Sequence, residues 1–255
     1  MPRARFGFLV MPVTPEAERA LLAAAHHARQ LGRTHLLRWI KESYGPFHSA
    51  ACWRTLDDLY QGGLDLCPEL LGDRAWLLYQ LASVRQAMGR YAEAEALYEQ
   101  AFKINKVALG EAHPSTAATL YELASVRQAI GRSAEAEALY EQTLGIFTAT
   151  LGEAHPHTIL CLSSLAGCKA SLGKLVEARP MMAAAMDAAS SLTESSGLWT
   201  GRVYLKWAHG LSGAGLVSEA EDAARTARNL LAAALGPDAS FTVEAEKLLK
   251  DLEER

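Results

Sequence analysis

The sequence has no apolar run near the roughly 18 to 20 residues that a membrane-spanning helix needs. Its amino-terminal FGFLV (residues 6–10) is too short for a signal-peptide core, so a cytoplasmic chain with no membrane partner is expected. Cysteine is scarce: Cys52, Cys67, Cys161 and Cys168 form no CxxC pair. Cys161 and Cys168 are seven apart, about 10 Å on a helix and too far for a disulfide, so reduced, structural thiols are expected. No excess of basic residues exists either. With 25 Lys and Arg against 29 Asp and Glu, the net charge is −4, and nucleic acid is not an expected partner. Strand-like alternation is missing throughout, which excludes a sheet.

Chemistry is missing as well. There is no HExxH, P-loop or GxGxxG, and the nearest approach to a nucleophile elbow, Gly210-Leu211-Ser212-Gly213-Ala214, ends in alanine and falls at a helix turn. Adjacent His26 and His27 would point about 100° apart on a helix and cannot readily share a metal. Neither a metal, nor a cofactor, nor catalysis is expected.

What is present is a repeat. Tyr79–Gln100 (YQLASVRQAMGRYAEAEALYEQ) and Tyr121–Gln142 (YELASVRQAIGRSAEAEALYEQ) match at 19 of 22 positions after a shift of 42. The same shift carries LGEAHP from Leu109–Pro114 onto Leu151–Pro156, and twice that shift reaches LGPD at Leu235–Asp238. Gly89, Gly131, Gly173 and Gly215 sit on this lattice, each placed to end one helix in the left-handed conformation. Glu93, Glu135, Glu177 and Glu219 follow in the first turn of the next helix, where the helix dipole favours an acid. His113 and His155 recur because the linker recurs, which predicts a His-Pro helix start rather than a metal site. Alanines 82, 124, 166 and 208, and 94, 136, 178 and 220, occupy lattice positions where paired helices must approach closely. Leu78, Leu81 and Ala82 have the spacing of one buried stripe, repeated at Leu120, Leu123 and Ala124. One hairpin cannot bury both its faces, so the hairpins must stack.

The LGEAHP linker, the LAxxxxxxG first helix and the AEALYEQ second helix together resemble tetratricopeptide repeats, in the 42-residue version of kinesin light chains. The resemblance covers about residues 71 to 238. It implies an all-α, right-handed superhelical solenoid of stacked antiparallel helix hairpins that binds a protein or peptide in its concave groove, as a scaffold or adaptor. Kinesin light chains hold cargo peptides with paired asparagines on the first helix. Here the matching places carry Tyr79-Gln80, Tyr121-Glu122, Ser163-Ser164 and Leu205-Lys206, so no motor or cargo role follows.

Four segments are expected: a loose arm over 1–13, amino-terminal helices over 14–70 forming a degenerate repeat or cap, four 42-residue repeats over 71–238, and a capping helix over 239–255. Thr14-Pro15-Glu16 opens a helix that Gly32 ends, and Gly62-Gly63 should end another that begins near Ser49. If first helices line a groove, its column contains Trp76, Tyr79, Ser83 and Gln86, then Tyr121, Ser125 and Gln128, then Ser163 and Gly167, then Arg202, Leu205 and His209. Rings supply area there, and hydroxyls and amides pair with an extended backbone. Arg85, Arg127 and Lys169 form a basic column, either packing their stems with the charge in water or meeting an acidic ligand. A sensor or regulatory subunit, acting on a partner enzyme through the amino-terminal helices, is the alternative role. Self-association remains open.

Overall fold

The structure, a computed structural model, describes residues 53–66, 71–192 and 196–254. The expected arm and the helices opened by Thr14 and leading up to residue 52 lie outside the described residues, as do Cys52 and Cys67. Among the described residues every regular element is an α-helix: α1 (Trp53–Leu66), α2 (Leu71–Ala87), α3 (Tyr91–Leu109), α4 (Pro114–Ala129), α5 (Ser133–Leu151), α6 (Pro156–Ser171), α7 (Leu175–Ser190), α8 (Ser196–Gly213), α9 (Val217–Leu235) and α10 (Ser240–Glu253). Two compact units are formed, one up to Ala101 and one from Phe102.

The helix ends follow from the linker chemistry. His113 and His155 are N-caps in extended backbone, and each Nδ1 accepts the amide of the second helical residue, Ser115 or His157, at 3.1 Å. Pro114 and Pro156 take the first helical position, which has no amide to satisfy. Thr116 Oγ1 donates to the Gly110 carbonyl at 2.8 Å, and Thr242 Oγ1 donates to the Gly236 carbonyl at 2.9 Å in the same way. Loss of an N-cap side chain costs about 1 kcal/mol. His113→Ala and His155→Ala are each expected to lose about that much, and the double variant about twice it, since the caps belong to different hairpins. Urea unfolding reads this directly, and unchanged midpoints would show that the imidazoles do not cap.

The hairpin turns close identically. At Gly89 and Gly131 (φ +76° and +83°), the next residue's amide reaches back five residues, Arg90 to the Arg85 carbonyl and Arg132 to that of Arg127, both at 2.8 Å. Lys174 to Lys169 (2.9 Å) and Leu216 to Leu211 (3.0 Å) repeat the closure, so each first helix ends in a Schellman turn that needs a left-handed residue.

In the first unit α1 packs on α2, Tyr60 meets Trp76 edge-on at 6.0 Å, and Tyr79 meets Tyr98 at 5.5 Å. Gly62 and Gly63 do not end α1, which runs on to Leu66. Both glycines and Leu64 are buried, and that packing outweighs a helix penalty of about 1 kcal/mol per glycine.

The second unit stacks α4 and α5, α6 and α7, and α8 and α9 as hairpins, with α10 packed on α9 and α8. Every lattice alanine is fully buried, and Leu123, Leu165 and Trp207 fill the layer beside them with Tyr140 and Met182. Cys161 and Cys168 are buried free thiols. Burial pushes Cys161 up to about 12 and Cys168 up to about 11, so neither is a nucleophile near neutral pH.

Candidate functional site

The basic column is held by acids of its own hairpins and, for Arg85 and Lys169, of the preceding helix as well. Arg85 meets Glu93 at 3.1 Å and Asp57 at 3.0 Å, and Arg127 meets Glu135 at 3.6 Å. Lys169 meets Glu177 at 2.8 Å, Glu137 at 3.0 Å and Glu141 at 3.1 Å, and is only 8% exposed. Each basic residue therefore pairs across the glycine turn with the acid eight residues on. Glu93 and Glu135 also take a two-point hydrogen bond from Arg90 and Arg132, which holds both carboxyls below the usual range. The column's charges are thus spent inside the chain.

The first-helix face carries the remaining residues. In the first unit Trp76, Tyr79, Ser83 and Gln86 are half-buried, and Gln86 Oε1 accepts from Tyr98 Oη at 3.1 Å. In the second, Gln128 Oε1 accepts from Tyr140 Oη at 3.3 Å, and burial drives that phenol's pKa up. Tyr121 leans on Tyr140 with ring centroids 5.6 Å apart, and its hydroxyl lies 2.9 Å from Ser164 Oγ on α6. Ser125 is half-buried on the same helix.

Further along, the expected column changes sides. Ser163, Gly167 and Leu205 are buried, because α6 and α8 meet almost backbone to backbone. A Cβ built on Gly167 would lie 2.8 Å from the Lys206 carbonyl oxygen. On α8 the expected Arg202 is half-buried and the expected His209 exposed, and Lys206, half-buried one turn from Arg202, joins them in place of Leu205. The Arg202 guanidinium lies between two rings, 5.1 Å from the Trp199 centroid and 4.6 Å from that of Phe241, and burial lowers its pKa. Lys206 is held above its ordinary range by the Tyr121 phenol first, then, against loss of hydration, by Glu244 and Glu122. His209 Nε2 lies 3.1 Å from Glu244 Oε1 on α10. Glu122, Lys206 and Glu244 were not in the sequence-derived set. The signal for Lys206 was present, since it occupies the same lattice position as Glu122 and Ser164.

Among the described residues no group of three or more His, Cys, Asp or Glu is placed to hold a metal ion, and no helix is long and apolar enough to cross a membrane.

Comparison with known proteins follows the same lines. The tetratricopeptide-repeat profile matches residues 73–149 and 118–191. No curated protein sequence matches the chain. Among solved structures, BtubC (BKLC) from P. vanneervenii superposes with a TM-score of 0.67 at 19% identity, over 87% of this chain and 92% of that one. A Podosopora anserina kinesin light chain with nearly identical TPR-like repeats gives 0.51 at 24% identity, over 85% and 97%. The Rap protein, complexed with competence and sporulation factor, gives 0.59 at 13% identity, over 93% and 71%. These likenesses are of fold. With the 42-residue lattice, its glycine turns and its His-Pro caps, the profile match makes residues 73–191 tetratricopeptide repeats.

Proposed function

We propose that this chain is a non-enzymatic scaffold that binds a protein or peptide partner on its first-helix face, the concave side expected of such a stack. The observation that carries the reading is one mixed surface in the second unit. Tyr121 and Glu122 on α4, Arg202, Lys206 and His209 on α8, and Glu244 on α10 keep part of their side chains in solvent on three first helices, whose other faces are packed. A ring for area, hydroxyls for a backbone and charges for register are the elements of peptide recognition. Tyr79 and Ser83 give the first unit a comparable, separate surface. The complex of the Rap protein with its factor shows a chain of the same fold holding a partner.

The test is selection of displayed random peptides on the immobilised full chain, followed by titration of synthetic winners. Tyr121→Ala is expected to weaken binding at least about tenfold, since a desolvated tyrosine near the middle of an interface commonly costs 2 kcal/mol or more. Its thermal midpoint should change little. No enrichment, or full affinity in a Tyr121→Ala, Lys206→Ala double variant, would remove this face as the site.

A further inference from the structure

The same lattice position carries Arg202 on α8 and Glu244 on α10, one repeat of 42 residues apart, with Ala118 and Leu160 before them. The charge at this position therefore inverts in a single repeat step. Among the described residues Arg202 makes no ion pair within 4 Å, and Glu122 and Glu244 act on it only at longer range. Its guanidinium carbon lies over the Trp199 ring at 5.1 Å and over the Phe241 ring at 4.6 Å, and these contacts strip water from the cation and hold it in place for an acceptor. Lys206, one turn on, shares that side of α8 and, among the described residues, has no acid within 4 Å, its charge being felt by Glu244 and Glu122 at longer range. Glu244 is bonded to His209 at one oxygen, Oε1, and remains exposed.

Resting on the function proposed above, we propose that this face reads a pair of opposite charges in an extended peptide, an acidic residue on Arg202 and Lys206 and a basic residue on Glu244. Neighbouring packed helices lie roughly 8–10 Å apart. An extended chain advances about 3.3 Å per residue, so the two charges stand about three residues apart in the ligand. A wholly acidic segment satisfies the α8 cations but brings a like charge to Glu244, which selects against it.

The probe is a set of synthetic, end-blocked peptides of about 12 residues in a Ser/Ala/Tyr host. They carry Glu-x-x-Lys, Lys-x-x-Glu, Glu-x-x-Glu, or adjacent Glu-Lys, and are titrated against the full chain by fluorescence anisotropy. At least one three-apart mixed order is expected to bind about tenfold tighter than the all-acidic and the adjacent-pair peptides. Glu244→Lys, a surface change checked for unaltered helicity, is expected to reverse the ranking in favour of Glu-x-x-Glu, and Arg202→Met to flatten it. Peptides that bind, with a ranking indifferent to Glu244→Lys or with the all-acidic peptide best on the unaltered chain, overturn the charge pair and leave peptide binding standing. No binding by any of these peptides or by selected ones overturns both.

Discussion

The Gly210→Val variant is expected to lose more than about 3 kcal/mol of stability, beyond the usual cost of overpacking a core. A Cβ built on Gly210 would sit 2.5 Å from the Gly167 Cα, 2.6 Å from its carbonyl oxygen and 2.9 Å from its carbonyl carbon. All three obstacles are backbone atoms of α6, so no side-chain rotation can relieve the clash. The helices must separate. One turn further along, Gly213 is also close to Ser171, with 2.9 Å between its added Cβ and the serine Cβ, so the narrow approach runs along the seam. Gly145 on α5 is the internal comparison, because nothing lies within 4 Å of a Cβ there. Gly145→Ala should stabilise by about 0.5–1 kcal/mol through helix propensity alone. Urea midpoints for the two variants should therefore move in opposite directions, and a Gly210→Val chain as stable as the unaltered one would mean that α6 and α8 do not touch as described.

That seam also explains how much of the site was legible in the sequence. The 42-residue identity made the hairpins, the buried alanines, the left-handed glycines and the His-Pro caps readable, because each depends on residues a few positions apart and recurs. The binding column could not be carried through in the same way. The lattice position of Ser125 holds Gly167 in the next repeat, and that of Val126 reaches Gly210 two repeats on. The two glycines let α6 and α8 sink together, which buries Ser163 and Leu205 and leaves Arg202 and Lys206 at the surface. Periodicity assumes equal steps between repeats and cannot register a step that one glycine pair shortens. The basic column was ambiguous for a related reason. Its partners sit eight residues on, beyond a turn, and no same-helix spacing announces such a pair.

The Lys169→Met variant is expected to lose about 3 kcal/mol at pH 7, the low end of what breaking a buried ion pair costs. The side chain of Lys169 is 10% exposed and that of Glu137, its nearest enclosed partner, is 12% exposed. Removing the cation leaves Glu137 buried with Lys174 alone, at 2.7 Å, which is why the cost stays at the low end. Glu141 and Glu177 are more than half exposed and recover solvent, so Glu141→Gln or Glu177→Gln should each cost well under 1 kcal/mol. The pH dependence has a definite sign. Hydrogen bonds that Lys169 donates to Glu177 and Glu137 raise its pKa, so its contribution is complete below about 10.4, the ordinary lysine value, and is lost only in strong alkali. Burial raises the Glu137 pKa, but hydrogen bonds from Lys174 and Lys169 outweigh it and hold it below the usual range. Its contribution is therefore present above about 4.3 and fades as pH falls through its lowered folded value. The gap in urea midpoint between unaltered chain and Lys169→Met should be full from pH 6 to 8 and should shrink steadily on acidification below about pH 4. A gap that stays constant down to pH 3 would assign the loss to the packing of the lysine stem, and no gap at pH 7 would show that the three carboxylates do not depend on this cation.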